Sequence, residues 1–260
     1  MITFSVVTIT YNAEAVLPPT LASVQMQNHE HVEHIIVDGA SKDDTLQLAT
    51  QYKQASDAED NGHQVRILSE PDSGLYYAMN KGLALATGDY VVFLNAGDRF
   101  PSADTLEMVA QAAEVGDAEE LPAVLYGDTD IVDGDGNFLR HRRLQPLEIL
   151  SWKSFKQGMV VCHQAFYARL DIAKTIQYNT RYRYSADVDW CIRVMKEAKK
   201  RRLALKRVPC VVADYLQEGQ TTLHHKDSLR ERFRVMCSHY GLLQTSFLHA
   251  WFVVRAFIKK

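Results

Sequence analysis

Cysteine is scarce in this chain, and no sign of charge dominates it. The 260 residues include 4 Cys, at positions 162, 191, 210 and 237, with no paired-ligand spacing. A reduced, cytosolic setting suits them better than a disulfide framework or a zinc site. Lys and Arg number 29 against 32 Asp and Glu, a net charge of −3, so there is no basic surplus to hold a nucleic-acid backbone. No run of about eighteen apolar residues occurs, so no segment is expected to span a bilayer. The start, Met1-Ile-Thr-Phe-Ser-Val-Val7, lacks the basic residues of a signal peptide and enters a strand at once. No G-x-G-x-x-G follows a strand and no G-x-x-x-x-G-K-[ST] is present, which disfavours dinucleotide and P-loop sites. Internal repeats are also missing.

What is present is ordinary for a globular protein, with 47% hydrophobic and 23% charged residues. The length allows one large α/β domain or two small ones. Tyr90-Val-Val-Phe-Leu94 is a short β-branched and aromatic run without alternation, as expected of a central strand covered on both faces. Similar runs at 4–10, 34–37 and 65–69 alternate with helical stretches at 13–27, 41–55 and 75–86. Pro18-Pro19 must kink the first helix or start it late, Ser41 is expected to cap the second, and Gly88 to close the third. Alternation of this kind predicts an α/β fold with a mostly parallel central sheet flanked by helices. Beyond residue 98 the pattern predicts a helix over 103–115, an acidic linker over 116–122 and a hairpin over 123–142 turning at Asp133-Gly-Asp-Gly-Asn137. An extended stretch at 156–163, a helix over 187–200, a strand over 203–215 and a charged helix over 223–240 follow.

Three strand ends carry polar groups: Tyr11-Asn12, Asp38-Gly39 and Asn95-Ala-Gly97-Asp98. Ligands bind at the carboxyl edge of such sheets. There Tyr11 can stack on a base, and Asp38 can accept hydrogen bonds from a base or ribose. Taken singly, each is equally a turn or a cap; their convergence favours a nucleotide pocket. At Asn95–Asp98, a small residue beside a carboxylate leaves room for a divalent cation, Mn²⁺ or Mg²⁺, carrying a diphosphate.

Four stretches, in order, resemble the motifs of family 2 glycosyltransferases with the GT-A fold. They are Val6-Val-Thr-Ile-Thr-Tyr-Asn12, Ile35-Ile-Val-Asp-Gly-Ala-Ser-Lys-Asp-Asp-Thr45, Glu70-Pro-Asp-Ser-Gly-Leu-Tyr-Tyr-Ala-Met-Asn-Lys-Gly82 and Ala86-Thr-Gly-Asp-Tyr-Val-Val-Phe-Leu-Asn-Ala-Gly-Asp98. The Leu-Asn-x-Gly-Asp element is similar to that of WcaE-like colanic acid and capsule transferases. The resemblance implies a nucleotide-sugar-binding half over 1–100, an acceptor and catalytic-base half with a smaller mixed architecture over 101–222, and a helical tail over 223–260. It implies that Tyr11, Asn12 and Asp38 hold the nucleoside. Asp72 and Lys81 lie near base, sugar or diphosphate, with Asn95 and Gly97 on the donor. Asp98 is the implied metal ligand of the D-x-D element, although Asn95 and Gly97 stand where the family often has Asp. Ser185-Ala-Asp-Val-Asp-Trp-Cys-Ile-Arg193 resembles the family's acidic motif, with Asp187 as catalytic base. Cys162-His163-Gln164 resembles the segment bordering the acceptor.

The expected activity is inverting transfer of a sugar from a nucleotide donor, UDP-linked, to a hydroxyl of a glycan or lipid-linked acceptor in cell-surface polysaccharide biosynthesis. Two alternatives stand beside it. A non-catalytic nucleotide-sugar-binding module is one. A sugar nucleotidyltransferase is the other, but Tyr11-Asn-Ala-Glu-Ala15 lacks the glycine-rich, basic loop it would need. His224-His225 could meet phosphate or metal, or simply begin a surface helix. The basic run 196–207 and the tail, with Phe247, Leu248, Trp251, Val254 and Ile258 beside Arg255, Lys259 and Lys260, suit either a peripheral site on the inner membrane face or packing on the domain or a dimer mate.

Overall fold

The computed structural model describes residues 1–59, 61–114, 120–217 and 225–258, without the side chains of 225, 226 and 252–258. The expectation for His224 therefore lies outside the described residues, as do the side chains of His225, Val254, Arg255 and Ile258, and residues 259 and 260 altogether.

Strands β1 (Phe4–Thr10) and β2 (Val32–Asp38) are buried along their whole length. So is β4 (Tyr90–Phe93). Layers on both faces explain why these runs carry apolar residues without alternation. With β3 (Gln64–Ser69) they form a parallel array in the order β3-β2-β1-β4. Helix α1 (Leu17–Gln25) starts late, with the two prolines in its first turn, where no intrahelical N–H is needed. Helix α2 (Thr45–Ala58) has Asp44 at its N-cap without a side-chain bond. Ser41, the expected cap, is committed to Asp38 instead. Helix α3 (Leu75–Leu85) returns the chain to β4.

Beyond β4 the sheet turns mixed. The strands are β5 (Val124–Val132), β6 (Phe138–His141), β7 (Phe166–Arg169) and β8 (Leu205–Leu216). Strand β7 lies antiparallel between β4 and β5, while β8 runs parallel to β5 and β6 closes the expected hairpin. The second half therefore mixes the antiparallel β7 and β6 with the parallel β5–β8 pair. The stretch 156–163 is not a strand: a 3₁₀ turn at Trp152–Gln157 precedes it, and the extended segment is the shorter β7. Because β4 and β5 are each antiparallel to β7, their carboxyl ends share one edge.

The remaining helices are α4 (Thr105–Glu114), α5 (Leu170–Ala173), α6 (Ala186–Arg201), α7 (His225–Tyr240) and α8 (Leu242–Ile258). One continuous core joins β1, β4, β5 and β7 to α3 and α6. Within it Trp190 stacks on Tyr178 at 4.8 Å and meets Phe93 edge-on at 5.8 Å. Tyr178 also stacks on Tyr76 of α3 at 5.7 Å. These rings fix the start of α6 against the end of β4. Among the described residues, no helix is long and apolar enough to cross a membrane.

Candidate active site

The carboxyl ends of β1, β2 and β3 bring Tyr11, Asp38 and Asp72 together around Gly39. A Cβ on Gly39 would stand 2.9 Å from an Asp72 carboxylate oxygen and 3.1 Å from the Tyr11 ring, so a side chain there would push these two apart. Tyr11 is 61% exposed, leaving its face open to stacking. Asp38 is fully buried. Its oxygens accept from Ser69 Oγ at 2.6 Å, from the Ser41 N–H at 3.1 Å and from the Ser41 hydroxyl. Asp72 accepts the Gly74 N–H at 2.7 Å, which holds the 70–74 turn.

Asn12 and Lys81 act on the frame of this pocket. Asn12 sits in the left-handed region, φ 47°. Its N–H donates to Ser41 Oγ and its side-chain oxygen accepts the Lys42 N–H, both at 2.9 Å, tying the ends of β1 and β2 together. Lys81 Nζ lies 2.9 Å from Glu70 and donates to the Pro71 carbonyl at 3.0 Å.

Two strands across, about 10 Å from β2, the turn after β4 carries Asn95, Gly97 and Asp98. Gly97 has φ +100°, and a Cβ there would strike the Leu216 side chain at 2.7 Å. Its N–H donates to Thr20 Oγ1 at 2.9 Å, while the Thr20 hydroxyl donates to the Asp98 carbonyl at 2.7 Å. The Asp98 carboxylate faces inward. One oxygen accepts from Gln164 Nε2 at 2.7 Å, the other from the Leu216 N–H at 3.1 Å. Burial lifts its pKa to about 6, against the lowering effect of those two bonds and of His163.

A divalent cation needs a carboxylate lone pair turned to the cleft. Asp98 is 5% exposed and both its oxygens are committed. The residues here do not fit the metal-ligand role expected of Asp98. Gln164 is likewise buried on Asp98, with the Cys162 thiol donating to its oxygen at 2.7 Å, so it does not line an acceptor surface.

Asp187 lies in the first turn of α6, with its side chain 16% exposed. Tyr76 OH donates to one carboxylate oxygen at 3.2 Å, and His163 Nδ1 stands 3.5 Å from the other. On the far side of the ring, the Asn95 amide nitrogen meets His163 Nε2 at 3.1 Å. An Asn95 amide donating to Nε2 would leave the ring proton on Nδ1, on the side of Asp187. Burial alone would raise the Asp187 pKa; the His163 hydrogen bond and the charge of Arg232 lower it, and the carboxyl stays below its usual range. It is therefore ionised at neutral pH and able to accept a proton.

Asp189, two positions on, is 4% exposed. It neither caps α6 nor meets solvent. It pairs with Arg193 at 2.7 Å and with His239 of α7 at 2.8 Å. Glu231, also on α7, accepts the backbone N–H groups of Arg183, Tyr184 and Ser185 at 2.7, 2.5 and 2.7 Å. It thus braces the entry to α6 immediately before the base. Neither Glu231 nor Tyr76 carries a local sequence signal for these roles. Both act across long sequence separations that only the packing reveals.

Residues 5–177 match the profile of the family described as glycosyl transferase family 2. The chain is 36% identical over 230 residues to a PGL/p-HBAD biosynthesis glycosyltransferase of Mycobacterium tuberculosis (strain ATCC 25177 / H37Ra), covering 87% of this chain and 82% of that protein. It is 31% identical over 200 residues to the amylovoran biosynthesis glycosyltransferase AmsB of Erwinia amylovora, covering 75% and 64%. Staphylococcus aureus TarS 1-349 in complex with UDP-GlcNAc superposes with a TM-score of 0.66 at 17% identity, over 98% of this chain and 72% of that one. The mannosyltransferase PcManGT from Pyrobaculum calidifontis, in complex with GDP-Man and Mn²⁺, gives 0.65 at 15%, over 95% and 70%. At those identities the structural likeness concerns the fold, which is GT-A.

Proposed function

The chain belongs to glycosyl transferase family 2, and from that premise we propose that it moves a sugar, with inversion, from a UDP-linked donor to a hydroxyl of a glycan or lipid-linked acceptor in the assembly of a cell-surface polysaccharide or glycolipid. The observation that carries this reading is Asp187: ionised, partly exposed, and oriented by Tyr76 and His163 beside the end of β4. The nucleoside sits against Tyr11 and Asp72, with the buried Asp38 behind them holding Ser41 and Ser69, and the diphosphate runs toward Asn95. The acceptor oxygen attacks the anomeric carbon from the face opposite the nucleotide. Its proton passes to an Asp187 oxygen, and the bond from the anomeric carbon to the diphosphate breaks with its electron pair leaving on the nucleotide. His163 keeps the Asp187 carboxylate aimed, and Asn95 fixes the tautomer in which it does so. No step is routed through a metal, because Asp98 is committed inside the protein.

The test is a melting-temperature screen with UDP, GDP, dTDP and CDP, each with and without Mn²⁺, followed by a transfer assay on Asp187→Asn. A ligand that binds only the folded state raises the midpoint by mass action, and UDP is expected to give the largest shift. Asp187→Asn is expected to keep that shift and lose at least about 100-fold in kcat, the scale of general-base catalysis. Full turnover by Asp187→Asn would remove the base assignment; a flat screen would remove the donor.

A further inference from the structure

Helix α7 turns one face to the start of α6. Ser228 and Val235 on that face are buried. The Ser185 hydroxyl donates to the Ser228 carbonyl at 3.4 Å, and one turn beyond Val235 the His239 ring meets Asp189. Arg232 stands four positions after Ser228 and three before Val235, which places it on the same face. It differs from its neighbours in having no counter-ion. The residue is half-buried, its Nε is covered and unbonded, and no hydrogen bond or ion pair reaches it among the described residues.

A guanidinium cannot shed its proton to escape partial burial, so a charge in this position is normally paired. Other basic groups around the site are paired: Lys81 with Glu70 at 2.9 Å, and Arg193 with Asp189 at 2.7 Å. Asp187 feels the charge of Arg232, yet the two form no ion pair. Contact between them would occupy the oxygen that must take the acceptor proton. Their separation leaves the base open and leaves Arg232 available to an anion that a substrate brings.

The reaction needs such a cation. As the bond from the anomeric carbon to the diphosphate breaks, its electron pair adds charge to a group that is already anionic, and a metal or a protein cation must offset it. The turn after β4 is poorly made for a metal. Gly97 brings no carboxylate, the Asn95 amide is turned to His163, and both Asp98 oxygens are committed. A guanidinium can replace the metal in this role, because its planar fork matches two phosphate oxygens at once and stays charged throughout. In an inverting displacement the base and the leaving diphosphate lie on opposite sides of one carbon. A long side chain standing near the base without touching it can bridge that separation.

We propose that Arg232, in place of a divalent cation, offsets the charge of the donor diphosphate, so that this chain binds its nucleotide and transfers sugar without metal. The proposal rests on the glycosyl-transfer reading above. Titration calorimetry on the full chain, in EDTA, with UDP, GDP, UMP and GMP tests it. The wild type is expected to bind one diphosphate at least about ten-fold more tightly than its monophosphate, the scale of hydrogen bonds to a charged group. Replacing EDTA by Mn²⁺ should change that affinity less than about two-fold. Arg232→Gln should weaken the diphosphate at least about ten-fold and leave the monophosphate within about two-fold, while Arg232→Lys, which keeps the charge, recovers part of the loss. Loss of tuning at Asp187 alone would not move nucleotide affinity, so this readout separates contact with phosphate from an effect on the base. Diphosphate binding that requires Mn²⁺, or that Arg232→Gln leaves unchanged, overturns the proposal and keeps the donor reading. If Arg232→Gln does not fold, the Mn²⁺ comparison on the wild type still decides. A wild type that binds none of the four nucleotides, with or without Mn²⁺, removes the donor reading and this proposal with it.

Discussion

Asn95 and Asp98 show how far single residues depart from what their motif suggests. The motif places an acid where a metal would be, yet Asp98 faces Gln164 and the Leu216 backbone. Asn95 serves His163, and through it Asp187. The buried acid has a measurable signature. Its folded pKa of about 6 lies above the ordinary carboxyl value, so the native state binds the proton more tightly than the unfolded chain. That contribution is fully present below the unfolded pKa and is lost as pH rises through about 6. Between pH 7 and pH 5 the wild type should therefore gain about 1 kcal/mol relative to Asp98→Asn, which cannot titrate. Paired urea or thermal unfolding at the two pH values checks it; a gap between the two proteins that stays constant with pH would show Asp98 to be solvated. The identities of Tyr11, Asp38 and Asp187 as site candidates were legible in their motifs. The inward turn of Asp98 was not, because it depends on β8, which arrives more than a hundred residues later.

Helix α7 matters at the scale of elements because it closes the start of α6. The three backbone N–H groups that Glu231 accepts belong to the chain entering that helix, and His239 Nε2 meets Asp189 at 2.8 Å to join the two helices. Glu231→Ala leaves those N–H groups without their charged acceptor. Hydrogen bonds to charged groups contribute about 1.5–3 kcal/mol each, and water will recover part of the loss. A destabilisation of about 2–3 kcal/mol is expected, with kcat falling more than the donor KM changes, since the base moves while the nucleoside pocket stays. Unfolding curves and a kcat against KM comparison measure both, and a change confined to donor KM would refute the positioning role. Strand and helix periodicity located α6 within a residue of its true ends, whereas the expectation of an extended 156–163 failed. That segment is apolar because it is buried in turns behind α6, and burial without alternation does not distinguish a strand from a buried turn.

For the whole molecule, α8 presents Leu243, Phe247 and Trp251 at 89%, 77% and 52% exposure, spaced four apart and so on one stripe. Such a stripe suits a membrane interface, where a lipid-linked acceptor would lie, and equally a second copy of the chain. Co-sedimentation with vesicles containing anionic lipid is expected for the wild type and should fall at least five-fold in Phe247→Glu/Trp251→Glu. Equal recovery of both proteins in the supernatant, with a concentration-dependent change of mass, would assign the stripe to a second copy of the chain.

The parallel β3-β2-β1-β4 half, its helices and the polar carboxyl edge were determined by the sequence alone. Buried parallel strands write themselves as uninterrupted apolar runs, and the residues after each run necessarily share one edge. Tertiary structure alone decided the rest: the antiparallel insertion of β7, the inward Asp98, the Tyr76–Asp187–His163–Asn95 chain and the Glu231 brace. Each of these arises from contacts between residues far apart in the chain, where side-chain identity is uninformative until the packing supplies the partner.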